Sequence, residues 1–196
     1  NADGATPLRG LLDGGDGYFY GMASQGGTDG NGVIFAIPAD VSTFTVLHSF
    51  TGTDGAGPVA ELMVASSGKL YGVTSTGGVN SEGATTALGT IFSIDRAGTS
   101  FSRLYSFDGK QGSLPSSRLL ETAPGVFVGA AANAGNCSYG TIFRYSLAGD
   151  TVTGNTRCGR KTKNCGGGAG RDSLALQRGE LMTITRWSCC SQASAC

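Results

Sequence analysis

Charge is scarce in this chain: only 14% of its 196 residues are charged, and 14 basic residues match 14 acidic ones. A neutral total argues against nucleic acid as the main partner, because phosphate recognition is driven by positive charge. Long apolar runs are also missing. Nothing approaches the ~20 residues of a membrane-spanning helix, so no membrane span is expected. Histidine occurs once, at His48, and no Gly-x-Ser-x-Gly elbow is present to partner it in a Ser-His-Asp triad. No Cys-x-x-Cys pair and no cysteine beside a histidine occurs, so the six cysteines (Cys137, Cys158, Cys165, Cys189, Cys190 and Cys196) predict no zinc site. Their even number permits disulfides and leaves the connectivity open, with Cys158–Cys165 the easiest local loop. The 34 glycines follow no Gly-X-Y period, which excludes collagen. With neither an initiator Met nor a signal peptide, the chain reads as a mature form or a cut-out piece.

What is present is an internal repeat. Asp3-Gly4 with Pro7, Asp54-Gly55 with Pro58, and Gln111-Gly112 with Pro115 open three similar segments. Within each, a second glycine follows the first by 17 residues: Gly21, Gly72 and Gly129. Tyr20, Tyr71 and Val128 stand just before these glycines, and the glycine corners Gly26-Gly27, Gly77-Gly78 and Gly135 follow. An Ile-Phe pair comes next, ending at Phe35, Phe92 and Phe143, with Gly32, Gly89 or Gly140 two residues before each pair. Phe50 and Phe107 close the first two units. The spacing is 51 residues from Gly4 to Gly55 and 57 from Gly55 to Gly112, with the extra residues in loop 79–88. Surface insertions of that kind are well tolerated.

Each unit holds four short runs rich in Val, Ile, Phe, Tyr and Thr; in the second unit they span 60–65, 69–74, 90–95 and 101–107. Turns such as Ser67-Gly68 and Asp108-Gly109 separate them. The fold expected is therefore all-β: three four-stranded antiparallel repeat units resembling β-propeller blades, a partial propeller. A β-trefoil, which also has three four-stranded units, is the alternative. The Asp-Gly-x-x-Pro starts are expected to connect the blades, and Phe35, Phe92 and Phe143 to be buried together with Leu47 and Leu104. Recurring aromatics, Tyr20 and Tyr71 among them, fit a core between blades better than a sugar-stacking rim.

The pattern Gly-x-Leu-Tyr-Gly-Val-Thr-x-x-Gly-Gly, then Gly-Thr-Ile-Phe, Leu-Tyr-Ser-Phe and Asp-Gly-x-x-Pro, resembles the GloVer-type, choice-of-anchor tandem repeat of bacterial surface and secreted proteins. The second unit carries it most fully, in Gly68, Leu70 to Thr74, Gly77, Gly78, Gly89 to Phe92 and Leu104 to Phe107. The third departs from it at Val128 and Ala134. The resemblance implies an extracellular or cell-surface repeat protein, and its motif residues are structural.

The organisation predicted is three repeats over 1–153 (3–53, 54–110 and an incomplete 111–153), then a basic, Cys-rich tail over 154–196. A closing Phe is due where Cys158 stands, and five of the six cysteines fall in the tail. The tail is read as disordered or out of register with the repeat, with a natural linker or a disulfide knob as the alternative.

Candidate chemistry is thin. His48 occupies the position of Tyr105 one unit later, which marks an ordinary strand residue. Asp54, Glu61, Asp95, Asp108 and Glu121 are the carboxylates available for glycoside chemistry, but Asp54 and Asp108 sit in Asp-Gly turns that favour Asp structurally. Gly166 to Arg171 lacks the Lys-Ser/Thr ending of a phosphate loop. Asp13 to Gly17 and Asp29 to Gly32 resemble calcium loops without the full ligand set, so no cofactor is expected and calcium is the alternative. Asn136-Cys137-Ser138 fits a glycosylation sequon, relevant only in a eukaryotic secretory host. No catalytic, cofactor or metal residue is assigned. The reading is a non-enzymatic binding or display scaffold for carbohydrate or another protein, with self-association through open sheet edges. A carbohydrate-active enzyme, or a fragment without activity of its own, is the alternative.

Overall fold

A computed structural model of the chain describes residues 2–7, 9–79, 83–84, 88–133 and 140–157. These residues form strands and turns with no helix. The first unit contains β1 (Ala5–Pro7), β2 (Leu12–Asp13), β3 (Tyr18–Gln25), β4 (Val33–Pro38) and β5 (Thr45–Ser49). The second contains β6 (Ala56–Pro58), β7 (Met63–Val64), β8 (Leu70–Thr76), β9 (Thr90–Ile94) and β10 (Ser102–Ser106). The third contains β11 (Ser113–Pro115), β12 (Leu120–Ala123), β13 (Val126–Asn133), β14 (Thr141–Ser146) and β15 (Thr151–Arg157).

The strands form three separate antiparallel sheets, one per unit. In each, the two short opening segments lie along the same edge of the third strand, so the sheet is four strands wide. All ladders stay within a unit and no barrel closes among the described residues, which is the blade-like arrangement and not the trefoil. The Asp-Gly-x-x-Pro segment is more than a connection: its end pairs as a strand, Ala56 with Thr76 and Pro58 with Thr74.

The register repeats in fine detail. In each unit the last strand skips one residue opposite the Ile-Phe pair, a β-bulge. Ile34 pairs with His48 and Phe35 with Val46; Ile91 pairs with Tyr105 and Phe92 with Arg103; Ile142 pairs with Thr156 and Phe143 with Gly154. Leu47 and Leu104 are the skipped residues, and for that reason they are half-buried rather than fully buried as expected. The bulge recurs opposite Phe143, and β15 runs on to Arg157, so the backbone keeps the repeat register past Thr153. Ala134, Gly135, Cys137, the sequon and residues 158–196, the remaining cysteines and Gly166 to Arg171 included, lie outside the described residues.

Side chains alternate between the two faces of each sheet, and each face has its own neighbour. Leu62, Leu70, Phe92 and Ile94 of unit 2 pack with Tyr20, Met22, Ile34, Ala36 and Phe50 of unit 1. Tyr71, Val73, Ile91 and Phe107, from the opposite face of unit 2, pack with Leu119, Phe127, Phe143 and Tyr145 of unit 3. The joints are thus heterologous: the Phe-bearing face of one unit meets the Tyr-side face of the unit before it.

Candidate functional site

The joints between units gather most of the polar chemistry. The residue before each repeat proline is left-handed: φ is 60° at Thr6, 57° at Gly57 and 54° at Leu114. Only Gly57 adopts this without a side-chain penalty. The twist aims its N–H back at the preceding unit, where Gly57 donates to the Asn31 carbonyl at 2.9 Å and Leu114 to that of Leu88 at 3.0 Å. The following proline then packs on a bare glycine. A Cβ on Gly32 would lie 2.7 Å from Pro58 Cδ, and one on Gly89 would lie 2.5 Å from Pro115 Cδ.

Beside the first joint the structure brings His48 and Asp54 together. The imidazole Nε2 lies 2.9 Å from Asp54 Oδ2, and the Thr51 N–H donates to Oδ1 at 2.8 Å. The imidazole stacks on Phe101 of unit 2 at 3.7 Å with the planes 4° apart, and meets Phe50 edge-on at 5.1 Å. Burial pushes the Asp54 carboxyl up, but the hydrogen bonds from His48 and Thr51 outweigh it and hold it below its ordinary value. The nearby Thr51 hydroxyl shares a hydrogen bond with that of Thr53 at 3.0 Å. The pair therefore closes a turn and offers a flat ring to the next unit. In the following unit Tyr105 and Gln111 occupy the two positions, so the pair is not part of the repeat.

Two further carboxylates bridge joints at the hairpin end. Asp16 Oδ2 takes Arg96 Nη1 at 2.6 Å and the Tyr20 hydroxyl at 2.8 Å, while the same Nη1 donates to the Gly14 carbonyl at 2.8 Å. Burial acts to raise the Asp16 carboxyl; Arg96 and the hydrogen bonds from Tyr20 and Tyr18 lower it overall. Burial and the bond to Asp16 push the Tyr20 phenol up to about 12. At the second joint Glu121 accepts from the Ser66 N–H at 2.6 Å, the Ser66 hydroxyl at 3.0 Å and the Gly125 N–H at 3.0 Å. Neither bridge was legible in the sequence, because Arg96 and Ser66 have no repeat signature.

The other carboxylates are dispersed. Asp95 caps its own turn through Thr99, Asp108 bonds the Lys110 N–H, and Glu61 lies 3.9 Å from Arg118. In the loops resembling calcium sites, Asp13 accepts from the Gly15 N–H and Asp16 is committed to Arg96. Among the described residues no group of three or more His, Cys, Asp or Glu is gathered. Tyr20, Tyr71, Phe35, Phe92 and Phe143 are buried, while Tyr18 is exposed and Tyr105 half-buried. Gly21, Gly72 and Gly129 each sit opposite the Phe of their own unit.

These recurring features have a counterpart among known repeats: the Gloeobacter/Verrucomicrobia repeat matches residues 1–193. The chain belongs to this repeat family. The match takes in all three sheets, in line with the motif resemblance, and extends to residue 193, past the stretch ending at Thr153 that carries the motif. No curated protein matches the chain. Among solved structures it is similar to the tricorn protease crystal structure, at 13% identity and a TM-score of 0.45, covering 76% of this chain and 12% of that one. Among the described residues no helix is long and apolar enough to cross a membrane.

Proposed function

We propose that this chain is a non-enzymatic repeat module of a secreted or cell-surface protein, in which consecutive blades of a partial propeller form a scaffold for binding or display. The observation that carries the reading is the use of the joint residues. His48, Asp54, Asp16 and Glu121, side chains suited to acid-base work, bond to turns or across joints, Asp16 to Arg96, and so hold sheets in position. The ligand classes that fit a scaffold of this kind are carbohydrate and protein.

A glycan array combined with a glycoside hydrolase screen tests the reading. Selective retention of a glycan without turnover supports it. Turnover that disappears in Asp54→Asn or Glu121→Gln would instead support a carbohydrate-active enzyme.

A further inference from the structure

The first sheet repeats, position by position, the face by which the second and third sheets dock, yet among the described residues no other sheet packs on it: Ala23, Val33 and Phe35 are buried within the unit itself, while Leu11, Phe19, Ile37 and Phe44 stay accessible. Leu11, Leu62 and Leu119 are equivalent; Leu62 and Leu119 are each 2% exposed, and Leu11 is 54% exposed. Phe19 and Ile37 are half-exposed, whereas their equivalents Leu70, Phe127, Ile94 and Tyr145 are buried. Phe44 stacks on Phe35 at 4.7 Å with the planes 30° apart and is 45% exposed; its equivalent Phe101 lies under the His48 ring of the preceding unit. The joint geometry is also in place. Thr6, a β-branched residue, holds the same left-handed φ as Gly57 and Leu114, whose N–H groups bond back to the unit before them. Left-handed backbone is unfavourable for such a residue, and the neighbouring structure must impose it.

We infer that the free face of the first sheet is a docking face for one further sheet of the same repeat type, joined through the Asp3-Gly4 connection and presenting a Tyr-side face like that of unit 1. That partner would place a ring on Phe44, as His48 lies on Phe101 at the first joint, and a Phe50-type ring against Phe35, as Phe50 and Phe107 meet Phe92 and Phe143 at the two joints. A second copy of the chain fits less well. The corresponding outer face of unit 3 carries exposed Arg144 where units 1 and 2 have buried Ala36 and Ser93, and Val128 where they have Tyr20 and Tyr71. Burying a guanidinium without a carboxylate partner is unfavourable. The inference rests on the repeat-module reading only in taking the unit as the thing that stacks; stacking and ligand display can fail separately.

The test uses the full chain and an extended chain with a second copy of residues 3–53 placed before Asp3, so that Thr53 of the added copy precedes Asp3 as Thr53 precedes Asp54. Leu11→Ala is made in the full chain and in the inner copy of the extended chain. The inference predicts a melting shift under about 2 °C in the full chain and a drop of about 5–10 °C at the inner copy. Tyr20→Ser in the outer copy should abolish that extra sensitivity. An equally small shift in both chains overturns the inference, as does an added repeat that contributes no strand signal by circular dichroism. A concentration-dependent dimer of the full chain that Phe44→Glu dissociates would show that a second copy covers the face, and would overturn it too. Glycan retention by the unmodified chain is read separately, so failure of stacking is distinguishable from failure of the scaffold reading.

Discussion

Gly72 and Phe92 face each other across β8 and β9, and a Cβ on Gly72 would stand 2.5 Å from the Phe92 ring Cζ. The ring covers the glycine backbone and fills the space that a side chain would take. Gly129 and Phe143 repeat the relationship at 2.5 Å. The backbone at Gly72 carries no positive φ, so the requirement for glycine there is steric. Gly72→Ala is expected to lower stability by roughly 1–3 kcal/mol through overpacking, and Phe92→Ala by roughly 3–5 kcal/mol through the cavity it leaves. Gly21→Ala should be milder, because one of the two side chains it displaces, Leu11, is exposed and can move aside, whereas the corresponding Leu62 is buried. Urea unfolding of the three variants checks the order.

Relief of backbone strain should stabilise the second joint. Leu114 holds a φ of 54° where its equivalent is Gly57. Leu114→Gly removes a left-handed penalty of about 1–2 kcal/mol, offset in part by the greater freedom of glycine in the unfolded chain. A higher urea midpoint is the expected result, and Gly57→Leu should shift it the other way.

The His48–Asp54 pair predicts a dependence on acid. The folded pKa of Asp54 is lowered, so its contribution is full above the unfolded carboxylate range and is lost as pH falls through the folded value. Stability should therefore fall below about pH 4, the unfolded range of Asp, and Asp54→Asn should flatten part of that decline. Thermal melts between pH 6 and pH 2 are the measurement, and an acid limb unchanged by the substitution would remove Asp54 from the account.

Tyr20 predicts the opposite limb. Its folded pKa is raised to about 12, so the stabilisation is present below the unfolded tyrosine value near pH 10 and is lost as pH climbs towards 12. Tyr20→Phe should be less stable at neutral pH, having lost the bond to Asp16, and should lose less between pH 10 and pH 12. Ultraviolet titration of the phenolate reports the shift directly.

Much of the fold was legible because its rules are written three times. The Gly72–Phe92 partnership could be read from Gly21 and Phe35 one unit before and Gly129 and Phe143 one unit after, since each fills the same local space. The left-handed residue before the proline escaped notice because Thr6, Gly57 and Leu114 share a backbone demand and no side-chain type. The bulge that leaves Leu47 and Leu104 half-buried is likewise a property of pairing and not of residue identity. The chemistry was less legible still. His48 and Asp54 are joined by a turn whose geometry neither residue announces, and Arg96 reaches Asp16 from another sheet. Long-range contacts made once leave no periodic trace.

The central claim is that each sheet buries its Phe-bearing face against the unit before it, leaving the first such face free. Alanine substitution of Leu11, Leu62 and Leu119, one at a time, with stability read by urea unfolding, tests it most directly. The account predicts losses of roughly 2–5 kcal/mol for Leu62→Ala and Leu119→Ala and less than about 1 kcal/mol for Leu11→Ala. Three equal losses would contradict it: equally small values would mean that the sheets do not stack, and equally large ones that the first face is covered as well.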